Sequence, residues 1–519
     1  MLFRFGEDTL TPSIALEIAA GVRKGIISPT AGEKIEACHR AIQQMAMGQQ
    51  AVYGVNTGLG PLCTTIISPQ QTALLQFNLL RSHSVGVGSP LPAEIVKLML
   101  VLKAHSLAMG FSGVSMQVIE RILLHIDQEA IPVVPSQGSV GASGDLAPLA
   151  HLFLPLIGLG HVLWKGKTIP AEEWLQIMQL APLQLQAKEG LALINGTQFI
   201  AAHAVKVLER LHNCLENADI IGAMTLEGAL GSVSPFEEQL HQLRAFIGAQ
   251  HVAYRLRTLL KDSPMVASHA HCGRVQDPYS IRCMPQVHGA SRNAWLHLKD
   301  LVITEINSVT DNPIILDNKQ AVSGGNFHGQ LLALPLDYAT LAAAELGNIS
   351  ERRTYLLLEG PAGLPKLLMR NTGINSGFMI PQYTAAALVS ENKSLCFPAS
   401  ADSIPTSLGQ EDHVSMGSIS ARKALQVIEN LENILAIELL CAAQAFDFRR
   451  PLRSTPLLEA CHELVRSRID HAENDRLFYN DILQAQALVR QKMLVRATQE
   501  AATLHGIPLA SPWEDLFSF

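Results

Sequence analysis

Apolar residues recurring at three- and four-residue steps over long stretches constrain this chain more than any other feature. After Pro285, the positions Val287, Ala290, Ala294, Trp295, Leu298, Leu301, Val302 and Ile306 share one helical face, and the pattern returns from Ala421 through Leu425, Ile428, Leu435 and Leu439. Between Leu336 and Leu358, LDYATLAAAELGNISERRTYLLL is rich enough in Ala and Leu to suit a helix packed on several sides. From about Gly113, the residues Val114, Val118, Ile119, Ile122, Leu123 and Ile126 mark a further helix that stops before IPVVP. Strand-like alternation is rare and short, and no internal repeat, low-complexity tract or linker marks a domain break. The spacing therefore predicts a mainly α chain built on long bundle helices.

A chain of 519 residues, 48% hydrophobic and 16% charged, has enough apolar material for one large core or two ordinary ones. Its formal charge of -7, without a basic run, argues against nucleic acid as a partner. The eight cysteines (Cys38, Cys63, Cys214, Cys272, Cys283, Cys396, Cys441 and Cys461) never form CxxC, so reduced thiols in a cytoplasm are expected rather than zinc or a disulfide framework. The first residues lack a signal pattern, and Thr11 before Pro12 reads as a helix start. The uncharged run from Leu146 to Trp164 contains Pro148, Pro155, Gly158, Gly160 and two histidines, so it reads as buried core and not as a membrane span.

Residues 138 to 148, GSVGASGDLAP, lack bulk although they lie between apolar stretches. A phosphate loop does not fit, because Gly138, Gly141 and Gly144 follow neither nucleotide-binding spacing and no Lys-Ser/Thr pair follows. A nucleophile elbow around Ser143, hence a serine hydrolase, has Gly141 in place but Asp145 where its second glycine belongs. A third reading has the Gly144 amide nitrogen attack the Ala142 carbonyl while Ser143 loses its hydroxyl as water, with Gly144 offering no Cβ to block the approach.

GSVGASGDLAPLAH resembles the signature of the ammonia-lyases that carry a 4-methylidene-imidazole-5-one (MIO) group, and it is most similar to the histidine branch of that aromatic amino acid ammonia-lyase family. The resemblance runs through at least five separated motifs, from YGVNTG to EDHVSMG. It implies a fumarase/aspartase-like architecture, with a smaller N-terminal globular α/β part (residues 1–110) followed by an elongated helical bundle (residues 111–519) that carries the MIO loop. It further implies a cytoplasmic homotetramer with sites shared between subunits, an MIO made from Ala142, Ser143 and Gly144, and no external cofactor.

Removing ammonia from an α-amino acid without oxidation requires a base for a weakly acidic β-proton, a trap for the amine and an anchor for the carboxylate. The resemblance makes Tyr53 in AVYGVNTGLG the base, and since a free tyrosine titrates near ~10 the site is expected to lower that value. It makes Asn195 in LALINGTQ the hydrogen-bond partner of the MIO ring and sets Phe327 in SGGNFHG beside it. In VQDPYSIRC, Asp277 is expected to cap a short turn with Pro278 at its first position, which would put Tyr279 and Arg282 on one face and Gln276 just outside. Arg282 is then the carboxylate clamp.

Two residues bear on the substrate ring: His83 in LLRSHSVGVG and Glu411 in SLGQEDHVSMG. A carboxylate and an imidazole suit a protonatable ring and are wasted on phenylalanine. The expected reaction is thus deamination of L-histidine to trans-urocanate and ammonia; a tyrosine ammonia-lyase or a histidine aminomutase is the alternative within the family. Phe397 in ENKSLCFPAS stands where the histidine branch usually has a histidine, and Phe153 replaces a smaller residue. The HAHC run with His269, His271 and Cys272 has no second ligand cluster at zinc spacing, so no metal site is expected.

Overall fold

The computed structural model describes residues 2–519. Long helices dominate it: Gln198–Gly228, Met284–Ile306, Gln330–Leu358 and Gly417–Arg449 have 31, 23, 29 and 33 residues. Three of the four contain the periodic stretches read from the sequence, and the helix read from about Gly113 spans Met116–Asp127. The one around LDYATLAAAEL begins earlier than its Ala/Leu-rich run and carries Pro335 inside it. Helix starts follow local chemistry. Thr11 accepts from the Ile14 N–H at 3.2 Å with Pro12 in the first turn, and Ser28 accepts from Ala31 at 3.0 Å ahead of Pro29.

The chain divides into two compact units, each assembled from separate segments: Met1–Lys206 with Lys299–Leu336 and Pro398–Arg422, and Val207–Leu298 with Asp337–Phe397 and Lys423–Phe519. Residues 110 and 111 both belong to the first unit. That unit contains the small sheets, among them Ile131–Pro132, His161–Trp164 and Lys167–Pro170 in an antiparallel three-stranded arrangement, and Val87–Pro90 against Pro135–Gln137. The uncharged run Leu146–Trp164 forms a helix, a 3-10 turn and a strand, with Leu149, Leu152 and Phe153 buried. No helix among the described residues is long and apolar enough to cross a membrane.

The second unit is held by buried charge as well as by apolar packing. Arg292 reaches Glu216 at 2.9 Å and Asp219 at 2.6 Å, and His288 reaches Asp219 at 2.8 Å. Arg353 makes a two-pronged contact with Glu438. Removing one member of such a group leaves its partner charged in the core, a loss of about 3–5 kcal/mol.

Several histidines lie deep in the two units. Burial pushes His105, His125, His203 and His212 down to about 4 and His251 to about 3, from an ordinary 6.5. The unfolded chain takes up these protons near 6.5 and the folded chain refuses them until about 4, so this contribution is complete above pH 6.5 and is lost as pH falls through that window. Asp145 and Glu227, pushed up to about 7 by burial, act in the opposite direction, but the five histidines outnumber them. Thermal melts at a series of pH values are expected to show stability falling steadily from pH 6.5 to 4; a flat profile across that range would contradict the burial of these rings.

Candidate active site

Ala142, Ser143 and Gly144 sit in a tight turn in the first unit. The Gly144 N–H donates to the Gly141 carbonyl at 3.3 Å, and Ser143 is held at φ 53, a left-handed conformation that costs an L-residue about 1–2 kcal/mol. Both glycines are required by space. A Cβ on Gly141 would lie 1.8 Å from the Ser415 carbonyl oxygen, and one on Gly144 2.2 Å from that of Gly196. A Cβ on Gly144 would also lie 3.0 Å from the Phe327 carbonyl oxygen, so the main chain at Phe327 runs past the tripeptide.

Asn195 closes the helix Glu189–Ile194 and turns its side chain onto this loop. Its Nδ2 donates to the Ser143 carbonyl oxygen at 2.8 Å, and the Gly196 N–H donates to the same oxygen at 3.4 Å. The Asp145 N–H returns the contact by donating to the Gly196 carbonyl at 2.8 Å. The start of the Glu189–Ile194 helix is anchored by a buried ion pair, Lys188 to Asp311 at 2.5 Å, with Lys188 also donating to the Ser112 carbonyl at 2.8 Å. Two donors converging on one carbonyl oxygen stabilise negative charge that develops there.

A cavity of about 530 Å³ opens over Ser143, lined by Tyr53, His83 and Glu411 and by the apolar side chains of Leu79, Leu191 and Ile194. Tyr53 lies on the loop before Gly60, whose N–H donates to its hydroxyl at 3.3 Å. Contrary to the lowering expected from its role, burial pushes the Tyr53 hydroxyl above its ordinary value; the Gly60 N–H opposes this, and Glu411 adds to it. The reason is physical: an apolar wall disfavours phenolate, and the nearest carboxylate repels it. His83, at the end of the helix Pro69–His83, has Nδ1 at 3.0 Å from the Ser82 hydroxyl and is pushed down by burial, toward the neutral form. Glu411 Oε2 is buried and has no hydrogen-bond partner among the described residues, an arrangement that is costly for a carboxylate.

Gln276, Tyr279 and Arg282 do not line this cavity. They belong to the second unit, where Gln276 and Arg282 line a cavity of their own of about 630 Å³. Tyr279 and Arg282 do share a face, the guanidinium lying 4.4 Å from the ring centroid. Asp277 does not cap their turn: Pro278 holds the cap position, and the Asp277 carboxylate accepts instead from the Ser232 N–H at 2.6 Å and from Arg274 at 2.9 Å. The arginine ion pair and the main-chain donor outcompete the cap. Phe397 is 82% exposed and Phe153 fully buried. The two ring nitrogens of His269 lie 3.0 and 2.9 Å from the Met265 and Gly231 carbonyls.

Two residues beside the tripeptide escaped the sequence reading. Asp145 is buried and pushed up to about 7 by that burial; it accepts from the Ile200 N–H at 3.0 Å and the Ser139 hydroxyl at 3.2 Å. Lys103 donates to the Asn195 carbonyl at 2.6 Å from the helix Ala93–Ala108. A lysine in the middle of AEIVKLMLVLKAHSLA, apolar on nearly every face, is a signal that could have singled it out.

The profile of the aromatic amino acid lyase family matches residues 10–467. The histidine ammonia-lyase of Deinococcus radiodurans is 49% identical over 490 residues, 94% of this chain and 93% of that protein. The crystal structure of histidine ammonia-lyase from Trypanosoma cruzi superposes with a TM-score of 0.89 at 41% identity, covering 99% of both chains. A tyrosine aminomutase from Streptomyces globisporus gives a TM-score of 0.91 at 32% identity, over 96% of this chain and 99% of that one. With its turn around Ser143, its helical architecture and these likenesses over nearly all of its length, this chain belongs to the aromatic amino acid lyase family.

Proposed function

We propose that the protein is a histidine ammonia-lyase, a carbon-nitrogen lyase that converts L-histidine to trans-urocanate and ammonia. The observation that carries the choice of histidine is a carboxylate with an unpartnered oxygen, Glu411, in the lining of the cavity that His83 and Ser143 also line. An imidazole N–H supplies a hydrogen-bond donor to that carboxylate where a phenyl ring does not. The relatives named histidine ammonia-lyase support the same substrate.

Ala142, Ser143 and Gly144 fit an MIO group: Ser143 is held left-handed, Gly144 occupies a cradle that a Cβ would fill, and the Ser143 carbonyl already receives two donors. Such a group supplies an electrophile for the substrate amine, with no external cofactor. The chain's own residues do the rest. Glu411 and His83 orient the imidazole, Tyr53 takes the β-proton at its Oη, and Asn195 holds the Ser143 carbonyl. Burial favours the protonated form of Tyr53, so its base strength comes from contacts made with bound substrate, which displaces water and engages Glu411.

Gln276, Tyr279 and Arg282 complete the site from neighbouring subunits of a homotetramer, with Arg282 gripping the carboxylate. Leu331, Leu334, Tyr338 and Leu341, exposed at three- and four-residue steps along the helix Gln330–Leu358, support burial of that stripe by another copy. All eight cysteines are free, which supports a reducing cytoplasm.

The test is ultraviolet absorbance of the purified protein with L-histidine, L-tyrosine and L-phenylalanine, with product identified to separate deamination from mutase activity. Histidine alone should give a rise, with an acrylate as product. The Glu411→Gln variant is expected to lose about 10- to 100-fold in kcat/KM for histidine, the worth of a hydrogen bond to a charged group. Equal rates for tyrosine and histidine in the wild type, or no effect of Glu411→Gln, would overturn the choice of substrate.

A further inference from the structure

Lys103 is only 1% exposed, yet its ammonium faces two neutral oxygens, the Asn195 carbonyl at 2.6 Å and Gln198 Oε1 at 3.4 Å, and it makes no ion pair among the described residues. Burying an ammonium without a carboxylate in contact is expensive, and a methionine of similar length would pack there without that cost. The charge is placed at one spot: the carbonyl end of the peptide that joins Asn195 to Gly196. The N–H end of that same peptide donates to the Ser143 carbonyl oxygen at 3.4 Å, and the Asn195 side chain donates to the same oxygen at 2.8 Å.

We propose that Lys103 is a positioning residue for maturation of the tripeptide, its ammonium holding and polarising the Asn195–Gly196 peptide so that both donors stay on the Ser143 carbonyl oxygen. This inference rests on the ammonia-lyase reading above. Dehydration of Ser143 breaks its Cα–H and Cβ–Oγ bonds and forms a Cα–Cβ double bond, the proton and the hydroxyl leaving together as one water. As the Cα–H bond breaks, its electron pair delocalises onto the Ser143 carbonyl oxygen. Donors on that oxygen lower the barrier, and a cation behind a donor strengthens it. Burial pushes Lys103 down to about 7; Asp311 opposes this, Lys188 adds to it and Asp145 opposes it again. Gln198 is fixed in turn, its Nε2 donating to the Thr310 hydroxyl at 2.8 Å.

The experiment compares intact mass, melting temperature and steady-state kinetics of the wild type, Lys103→Met and Lys103→Gln. The wild type should be lighter than its sequence by two waters, about 36 Da. Folded Lys103→Met should retain at least one of those waters in most molecules, with kcat per total protein down about tenfold or more and KM changed less than about twofold, because the substrate contacts are untouched. Folded Lys103→Met with the full mass deficit and wild-type kcat overturns the proposal. If that variant does not fold, Lys103→Gln decides in the same way, and failure of both to fold assigns Lys103 to the core and overturns it too. A wild type without the two-water deficit overturns the function reading instead, so the two failures are told apart by which protein keeps its full mass.

Discussion

Ser143→Ala is expected to reduce urocanate formation by at least about 10³-fold, more than about 4 kcal/mol of transition-state stabilisation, because no other side chain in the cavity offers an electrophile for an amine. The turn itself should survive. Its shape is set by Gly141 and Gly144 against the Ser415 and Gly196 carbonyls, and alanine tolerates the φ of 53 at position 143 no worse than serine does. Activity by ultraviolet absorbance and intact mass by spectrometry check this together: the variant should melt close to the wild type and lack the two-water deficit, about 36 Da, that the wild type carries. A Ser143→Ala protein with a tenth of wild-type activity would refute the electrophile and, with it, the hydrolase reading, whose nucleophile is the same serine.

Tyr53→Phe is expected to cost about 10²- to 10⁴-fold in kcat with little change in folding, the usual contribution of a positioned general base. The pH dependence carries its own sign. With the hydroxyl raised above its ordinary value by burial, the proton-accepting form grows as pH rises through and beyond neutrality. The wild-type rate should therefore climb with pH on that side, and the phenylalanine variant should lose the climb. A Tyr53→Phe enzyme with an unchanged alkaline profile would take the base role away from this residue.

The site was legible in the sequence to different degrees. GSVGASGDLAP announced itself because glycine, alanine and serine in an apolar setting mean a close backbone approach, and the structure shows what approaches: the Ser415 and Gly196 carbonyls. Tyr53, His83 and Glu411 were legible only through family resemblance, since each alone reads as an ordinary polar residue, and they are about 30 to 360 positions apart in the chain. The cap assigned to Asp277 failed because a local rule was applied where tertiary partners, Ser232 and Arg274, offered stronger hydrogen bonds. The expected lowering of Tyr53 failed for a related reason: a role says which charge is needed in the transition state, while burial decides which form the resting site prefers.

By itself, the amino-acid sequence determined the long helices, the helix start at Thr11, the buried apolar side chains between Ala147 and Ile157 and the tight turn at Ser143. These depend on periodicity, side-chain hydrogen bonds within a few residues and the freedom of glycine, all of which are local. Only the tertiary structure decided that Asn195 and Gly196 converge on the Ser143 carbonyl, that Lys103 stands behind them, and that Glu411 keeps an oxygen without a partner over the same cavity. Hydrogen bonds between residues 52 and 92 positions apart leave no spacing to read, and the cost of burying a charge exists only once the surrounding chain has excluded water.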